Sequence, residues 1–409
     1  MKYAYRGRLS LSVPLSLAYT ECFDFPAGRF LLVPSITSAT PAQTLRVAMF
    51  NISLSADKAG DIAQQLQQPH HPRIARLAAI IQHIQPDIVM LCEFDHPGNG
   101  GDDGAVAHFC DHYLAQSQHG QAPIDYPYRY CPPSNTGLPL PFDTDGDGVI
   151  TLPNDAQGFG EHHGHYGFVI LSRYPMDEAG IRSWQTLLWR DFPQHRMPLD
   201  YYGEASGVMR LSSKNHVVVP VIIGEHTLHL IGCHPTPPVF DGEEKRNAKR
   251  NHDELALVNA IIDDAPYLLD DNGQAGGLMK DASFVVLGDL NADRVDGDGM
   301  KGAIRDLLLH PRVNRSVASG RQTPKSLGGR FLRPWQPRKG RPNEWTHLSG
   351  LRLDYVLPSA DLTVTDSGVF WPDKKDPLRS LITDDRGRER AQAGSDHRLV
   401  WVDIDLPSS

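Results

Sequence analysis

Cysteine is scarce in this chain: there are five in 409 residues, an odd number, and no two are spaced as Cys-x-x-Cys. That excludes the common thiolate zinc frameworks and a disulfide-built scaffold. Cys92 and Cys233 lie in apolar strand-like runs and read as buried thiols. Cys110 and Cys131 could pair if the protein is exported. No run approaches the ~20 apolar residues of a membrane-spanning helix. Basic residues are not in excess either, with 40 Lys and Arg against 49 Asp and Glu and a formal charge of −9. A protein that grips nucleic acid or a membrane mainly by charge shows the opposite balance. The deficit does not exclude an enzyme that holds phosphate through a bound cation. Internal repeats and linkers are absent as well.

The rest of the composition is that of an ordinary globular protein, 40% hydrophobic and 22% charged. Residues 1–44 look like a leader. Lys2, Arg6 and Arg8 precede a weak apolar stretch, and small residues around Ser38 to Ala42 resemble a cleavage site. A secreted or periplasmic location is therefore expected, or a cytoplasmic one if this segment is not a signal. From residue 45 strands and helices alternate. "LRVAMFNIS", "PDIVMLCEF", "YGFVILSRYP", "SGVMRLSS", "HVVVPVII", "HTLHLIGCH", "SFVVLGDLN", "LRLDYVLPS", "LTVTDSGVF" and "DHRLVWVDIDL" read as strands. "HPRIARLAAIIQHIQ", a stretch near 105–116, "EEKRNAKRNHDELALVNAIID" and "MKGAIRDLLLH" read as helices. Residues 132–166, rich in Pro, Gly and Asp, form an insertion, and 321–349 a loop. The reading is one domain over 45–409, with two sheets face to face and helices outside.

Six of the strands deliver a polar group at or near one end: Asn51, Glu93, His234, Asp289 with Asn291, Asp354, and Asp396 with His397. Taken singly, each is most simply a turn residue or a satisfied core histidine. Taken together they are the oxygen and imidazole set that holds a hard cation and moves protons.

In order along the chain, "MFNIS", "PDIVMLCEF", "YGFVILSRYP", "IGCHPTPP", "LGDLNA", "RLDYVLPS" and "GSDHRLVWVDI" resemble the endonuclease/exonuclease/phosphatase superfamily, in particular its large secreted bacterial members. "GDLN" and "SDHRLV" are the most specific parts. The resemblance covers residues 45–405 and implies a four-layer α/β/β/α sandwich of two mixed sheets. It also implies hydrolysis of phosphate esters with Mg²⁺ or Mn²⁺. By the same resemblance Asn51, Glu93 and Asp396 would hold the metal. Asp289 would orient or deprotonate the attacking water, and Asn291 would donate to the phosphorus oxygens. Asp354 would orient His397, which acts either as base or as phosphate-binding imidazolium. His234 would bind phosphate or protonate the leaving oxygen.

Three further groups stand out. "DTDGDGVITLPND" places Asp143, Asp145 and Asp147 at positions 1, 3 and 5 of an EF-hand-like loop, with the Val149 carbonyl to follow, so a structural Ca²⁺ is a candidate. Asn154 stands where that motif needs a bidentate Glu. Tyr166 precedes a strand and could reach the site's rim, and Arg246 and Asn247, at a helix start after His234, could grip phosphate. His162, His163 and His165 read as a polar loop. The expected substrate is a phosphodiester, either nucleic acid or a small or lipid diester. The rivals are a phosphomonoesterase on sugar or inositol phosphates and a non-catalytic secreted binding domain. No protein partner is inferred.

Overall fold

Runs of aliphatic residues with side chains alternating between two buried faces become the strands of two sheets. The computed structural model describes residues 43–406; nearly all of the expected leader lies outside them. The strands are β1 (Thr44–Leu54), β2 (Ile88–Phe94), β3 (Tyr128–Tyr130), β4 (Phe168–Ser172), β5 (Arg182–Ser183), β6 (His216–Ile223), β7 (His226–Cys233), β8 (Phe284–Asp289), β9 (Asp354–Pro358), β10 (Thr363–Val369) and β11 (Val400–Asp405). The helices are α1 (Asp61–Gln67), α2 (Pro72–Ile84), α3 (Ala105–His108), α4 (Leu199–Tyr202), α5 (Arg246–Ile262), α6 (Lys301–Leu309) and α7 (Arg315–Ser319).

One sheet has six strands in the order β10-β11-β1-β2-β4-β3, and the other has five in the order β5-β6-β7-β8-β9. Each contains a single parallel pair, β1 with β2 and β7 with β8, among antiparallel neighbours. Both sheets are therefore mixed. Period-two alternation sorts β8 between two cores. Val285 and Leu287 join Val47, Met49 and Met90 in the core between the sheets. Phe284 and Val286 join Leu255, Val258 and Ile261 of α5 and Ile304 and Leu307 of α6 on the far side. On the six-stranded sheet α2 supplies Ile74, Leu77, Ala78 and Ile81. The result is the four-layer sandwich of two sheets with helices outside. Each such side chain, fully removed from water, contributes about 1.5–3 kcal/mol.

Local signals set the ends of α2. Pro72 starts it at a position where a missing N–H does no harm. Gln85, in the left-handed region at φ 53°, ends it just before Pro86. "SGVMRLSS" is not a strand. The backbone passes through a 3-10 turn at Gly203–Gly207. Leu211 N–H then donates to Leu187, while the Leu211 carbonyl accepts from the Arg250 guanidinium. Buried Met209 and Leu211 imitate strand periodicity, but the segment pairs only through one isolated antiparallel bridge, Arg210 with Leu188. Short α1, α7, β3 and β5 carry too little pattern to be read from sequence. Cys110 and Cys131 are separate buried thiols. Among the described residues no helix is long and apolar enough to cross a membrane.

Candidate active site

Topology brings the polar strand ends together. In a parallel pair both carboxyl ends lie on one side, so Asn51 of β1 faces Cys92 of β2, with Glu93 next in line. In the other sheet the parallel pair β7 and β8 brings His234, just past β7, alongside Asp289. Antiparallel β9 starts where β8 stops, so Asp354 sits directly across from Asp289. Gly288 permits the close approach of β7 and β8: a Cβ there would lie 2.0 Å from the Cys233 carbonyl oxygen.

Asp289 Oδ2 is the hub. Asn51 Nδ2 donates to it at 3.0 Å, and His234 Nε2 and His397 Nε2 each lie 3.6 Å away. Asn51 Nδ2 also reaches Glu93 Oε1 at 3.0 Å, while its Oδ1 accepts from Ser53 N–H. Asn51 is thus a strut between two carboxylates. On the other side of His397, Nδ1 lies 2.9 and 3.0 Å from the two oxygens of Asp354. Two like charges facing each other across a ladder repel, and the His397 ring lies between them. Asn291 N–H donates to Asp289 Oδ1, and the Asn291 side chain holds the Pro235 carbonyl just past His234. Glu93 and Asn291 have φ 54° and 50°. Non-glycine residues rarely adopt such values, and strain of this kind gathers at functional sites.

The electrostatics separate the roles of these groups. Burial pushes the Asp289 carboxyl up to about 7, against the opposing pull of His397 and the Asn51 amide. Burial also raises Glu93, and the nearby Asp396 charge adds to that. His397 is buried, yet Asp354 and Asp289 hold it well above the ordinary histidine range, as an imidazolium. Burial, with Lys214 and His397 nearby, holds His234 well below that range, as a neutral ring.

Several participants carry no sequence signal. His347, inside the featureless 321–349 loop, donates from Nε2 to Asp396 at 3.2 Å and packs its ring 4.4 Å from that of His397. Lys214 is buried beside Glu93 and Asp289, and burial lowers its amine. Glu254, fully buried on α5, accepts from Ser213 N–H and Oγ and from Thr236 N–H, so it pins the segments on either side of Lys214 and His234. Arg73 donates to the backbone of Ile52, Ser53 and Gly394 and so ties the end of β1 to the "GSDH" turn. Asp293, just past β8, is buried and accepts from Arg352 N–H at 2.8 Å, which fixes the start of β9.

The donor set suits a hard divalent cation. Glu93, Asp289, Asp354 and Asp396 outnumber the cationic groups His397, Lys214 and Arg73. Adding a divalent ion and a singly charged phosphodiester would cancel the remainder. The donors are mainly carboxylate oxygens, the type Mg²⁺ and Mn²⁺ prefer. Glu93 gathers with His234 and Asp289, and Asp396 with His347 and His397, each group with its ligand atoms within 4.8 Å of one another.

The groups named in the insertion and on α5 meet at the same place. Tyr166, Arg246 and Asn247 line one cavity of about 530 Å³ together with Glu93, His234, Asp289 and His397. Tyr166 is positioned by Asp95, which accepts its N–H at 2.8 Å, and by His165, whose ring stacks on it at 3.6 Å. The Asp-rich loop differs from the EF-hand expectation. Asp143 and Asp145 gather with Asp155, their carboxylate oxygens within 4.8 Å of one another. Asp147 turns its oxygen back to Val149 N–H and is not in that group. Asp155 in turn accepts from Thr144 and Thr151, closing the loop with its own hydrogen bonds.

A family model described as the Endonuclease/Exonuclease/phosphatase family matches residues 67–397. Similar solved structures include an endonuclease/exonuclease/phosphatase from Beutenbergia cavernae (18% identity, 89% of this chain and 72% of that one, TM-score 0.48). A family protein from Leptotrichia buccalis is 14% identical over 88% of this chain and 100% of that one, with a TM-score of 0.46. Sphingomyelinase C from Streptomyces griseocarneus is 14% identical over 89% and 100%, with a TM-score of 0.41. No curated protein matches the chain.

Proposed function

The chain belongs to the endonuclease/exonuclease/phosphatase family, and from that premise we propose that it is a divalent-metal-dependent phosphodiesterase acting by in-line attack of water. Members of the family are generally hydrolases of phosphate esters. The observation that carries the finer reading is the Asp289 hub, with one carboxylate oxygen shared by Asn51, His234 and His397.

Glu93 and Asp396 would hold a divalent cation, which would supply polarisation of a phosphoryl oxygen and offset the charge that grows on it. Asp289, raised toward neutrality, orients the attacking water and takes its proton. His397, kept cationic by Asp354, donates from Nε2 to a non-bridging phosphate oxygen. Of the two roles left open by the sequence, its charge favours phosphate binding over the role of base. His234, neutral and on the other side of Asp289, is placed to donate a hydrogen bond to the leaving oxygen. Lys214 adds a positive charge to the same cavity.

The test is turnover of bis(4-nitrophenyl) phosphate with Mg²⁺ or Mn²⁺, beside the monoester 4-nitrophenyl phosphate. We expect the diester to be preferred, EDTA to stop the reaction, and Glu93→Ala to lose ~10²–10³-fold in kcat, the scale of a lost electrostatic stabiliser. Undiminished turnover in EDTA or in folded Glu93→Ala would refute the reading. A preferred monoester would transfer it to phosphomonoester substrates.

A further inference from the structure

The 530 Å³ cavity continues beyond the catalytic strand ends, and its far half has a different chemistry. Phe159 comes from the insertion, Tyr201 and Tyr202 from α4, and Val239 and Phe240 from the loop after β7. Arg246 and Asn247 of α5 complete the wall. Three of these apolar side chains are bare: Phe159 is 56% exposed, Val239 38% and Phe240 91%. Large exposed apolar groups gathered around a cavity mark a ligand site more often than a free surface.

The position of Phe240 is built. Its φ is 58°, a left-handed backbone that a bulky residue adopts only when its surroundings impose it. Asn247 Nδ2 holds the Val239 carbonyl at 2.8 Å. The Asp241 carboxylate accepts from Asn247 N–H at 2.7 Å and Ala248 N–H at 2.9 Å, which clamps the loop onto the first turn of α5. A phenyl ring is thus held in water by a strained and anchored loop, the kind of feature found at ligand clamps. Nearby, the Arg246 guanidinium lies 5.0 Å from the Tyr201 ring and is itself fixed by Glu244 at 2.7 Å.

Resting on the phosphodiesterase reading, we propose that the substrate is a small phosphodiester bearing a planar ring, a nucleoside or an aryl group. The ring packs against Phe240 and Tyr201 while the phosphate sits at the catalytic strand ends. Aromatic faces and a guanidinium bind flat rings through offset stacking and cation–π attraction. Asn247 and Asn154 on the same wall, their amide nitrogens held by the Val239 carbonyl and by Asp145, present amide oxygens to the polar edge of a base. A long acyl chain offers those oxygens no donor. Duplex nucleic acid fits worse still. Its bases are stacked inside, out of reach of Phe240, and Asp145 on the cavity wall with Asp143 beside it repels a polyanion.

Calorimetry on the intact protein with Mg²⁺ would compare AMP with ribose 5-phosphate, which differ only in the ring. We expect AMP to bind at least ten-fold tighter, or about 1.4 kcal/mol. Phe240→Ala and Tyr201→Leu should each close most of that gap, and because the Phe240 ring is almost wholly exposed its removal should not unfold the protein. Equal binding of the two ligands by the wild type overturns the proposal. So does faster hydrolysis, per diester, of supercoiled plasmid or phosphatidylcholine vesicles than of a dinucleotide. The catalytic reading is judged separately by bis(4-nitrophenyl) phosphate. Turnover without AMP selectivity removes the ring site, and selective AMP binding without turnover removes the phosphodiesterase.

Discussion

Asp289 is a carboxylate with three polar neighbours on one oxygen, and each neighbour constrains its chemistry. Replacing it by Asn keeps the shape but removes the proton acceptor, and kcat should fall by about 10²–10⁴, the usual share of a positioned base. Circular dichroism should show the fold retained, and an Asn variant with full activity would rule out this role. The pair Asp354–His397 should behave as one unit. His397→Ala and Asp354→Ala are each expected to lose ~10²-fold or more, and the double variant little beyond the worse single one. Additive losses, read as kcat/KM across the cycle, would mean that Asp354 does not act through His397. A different histidine bears on acid stability. His216 is fully buried, with Nδ1 on Ser212 and Nε2 on the Glu254 carbonyl, and burial holds it down to about 4. The unfolded chain gains a proton near 6.5 that this site in the folded one refuses until about 4. The share of stability that His216 carries should therefore be unchanged above pH 6.5, fall by about 3 kcal/mol between 6.5 and 4, and level off below. Urea midpoints across that window should show a shallower loss in His216→Gln than in the wild type, the shares of buried His96 and His234 remaining.

At the scale of elements, α5 does more than cover the five-stranded sheet. One face carries Leu255, Val258 and Ile261 into the core. Its buried polar residues reach the loops that carry the site: Arg250 holds the carbonyls of Gln157, Arg210 and Leu211, and Glu254 holds Ser213 and Thr236. This amphipathic helix was legible from its spacing, but the purpose of its buried charges was not, because their partners lie up to 93 residues away. Glu254→Gln places an amide N–H against one of the N–H groups now bonded to the carboxylate. We expect a loss of about 2–4 kcal/mol in urea unfolding, since a buried donor is left without an acceptor. KM should rise as the loops carrying Lys214 and His234 loosen. A variant as stable as the wild type would mean those N–H groups find other acceptors.

For the whole molecule, the site lies between the two sheets. Asn51 and Glu93 come from the six-stranded sheet, and Asp289 and Asp354 from the five-stranded one. On the proposed assignment a cation would be held by Glu93 of β2 and Asp396 just before β11, which lie far apart in the chain, and only the folded state brings them together. At a concentration 100 times its dissociation constant, Mg²⁺ should add about 2.7 kcal/mol. Tm should rise by several degrees, return on adding EDTA, and stay flat in Glu93→Ala. An equal rise in that variant would place the ion elsewhere.

The sequence by itself determined the elements whose information is local. It specified strands such as "SFVVLGDLN" by period and composition, α2 by its spacing, its Pro72 start and its stop before Pro86, and the family by short motifs at strand ends. Only the tertiary structure decided which way Asn51 points, that His347 joins Asp396, that Glu254 reaches two loops, and that Asp155 replaces Asp147 beside Asp143. It also decided that the insertion, α4 and the Phe240 loop share one cavity. The physical reason is one of range. Backbone preference and burial periodicity act over a few residues, whereas a carboxylate's charge state, a histidine's partner and the wall of a cavity depend on groups that the chain brings together only after both sheets have formed.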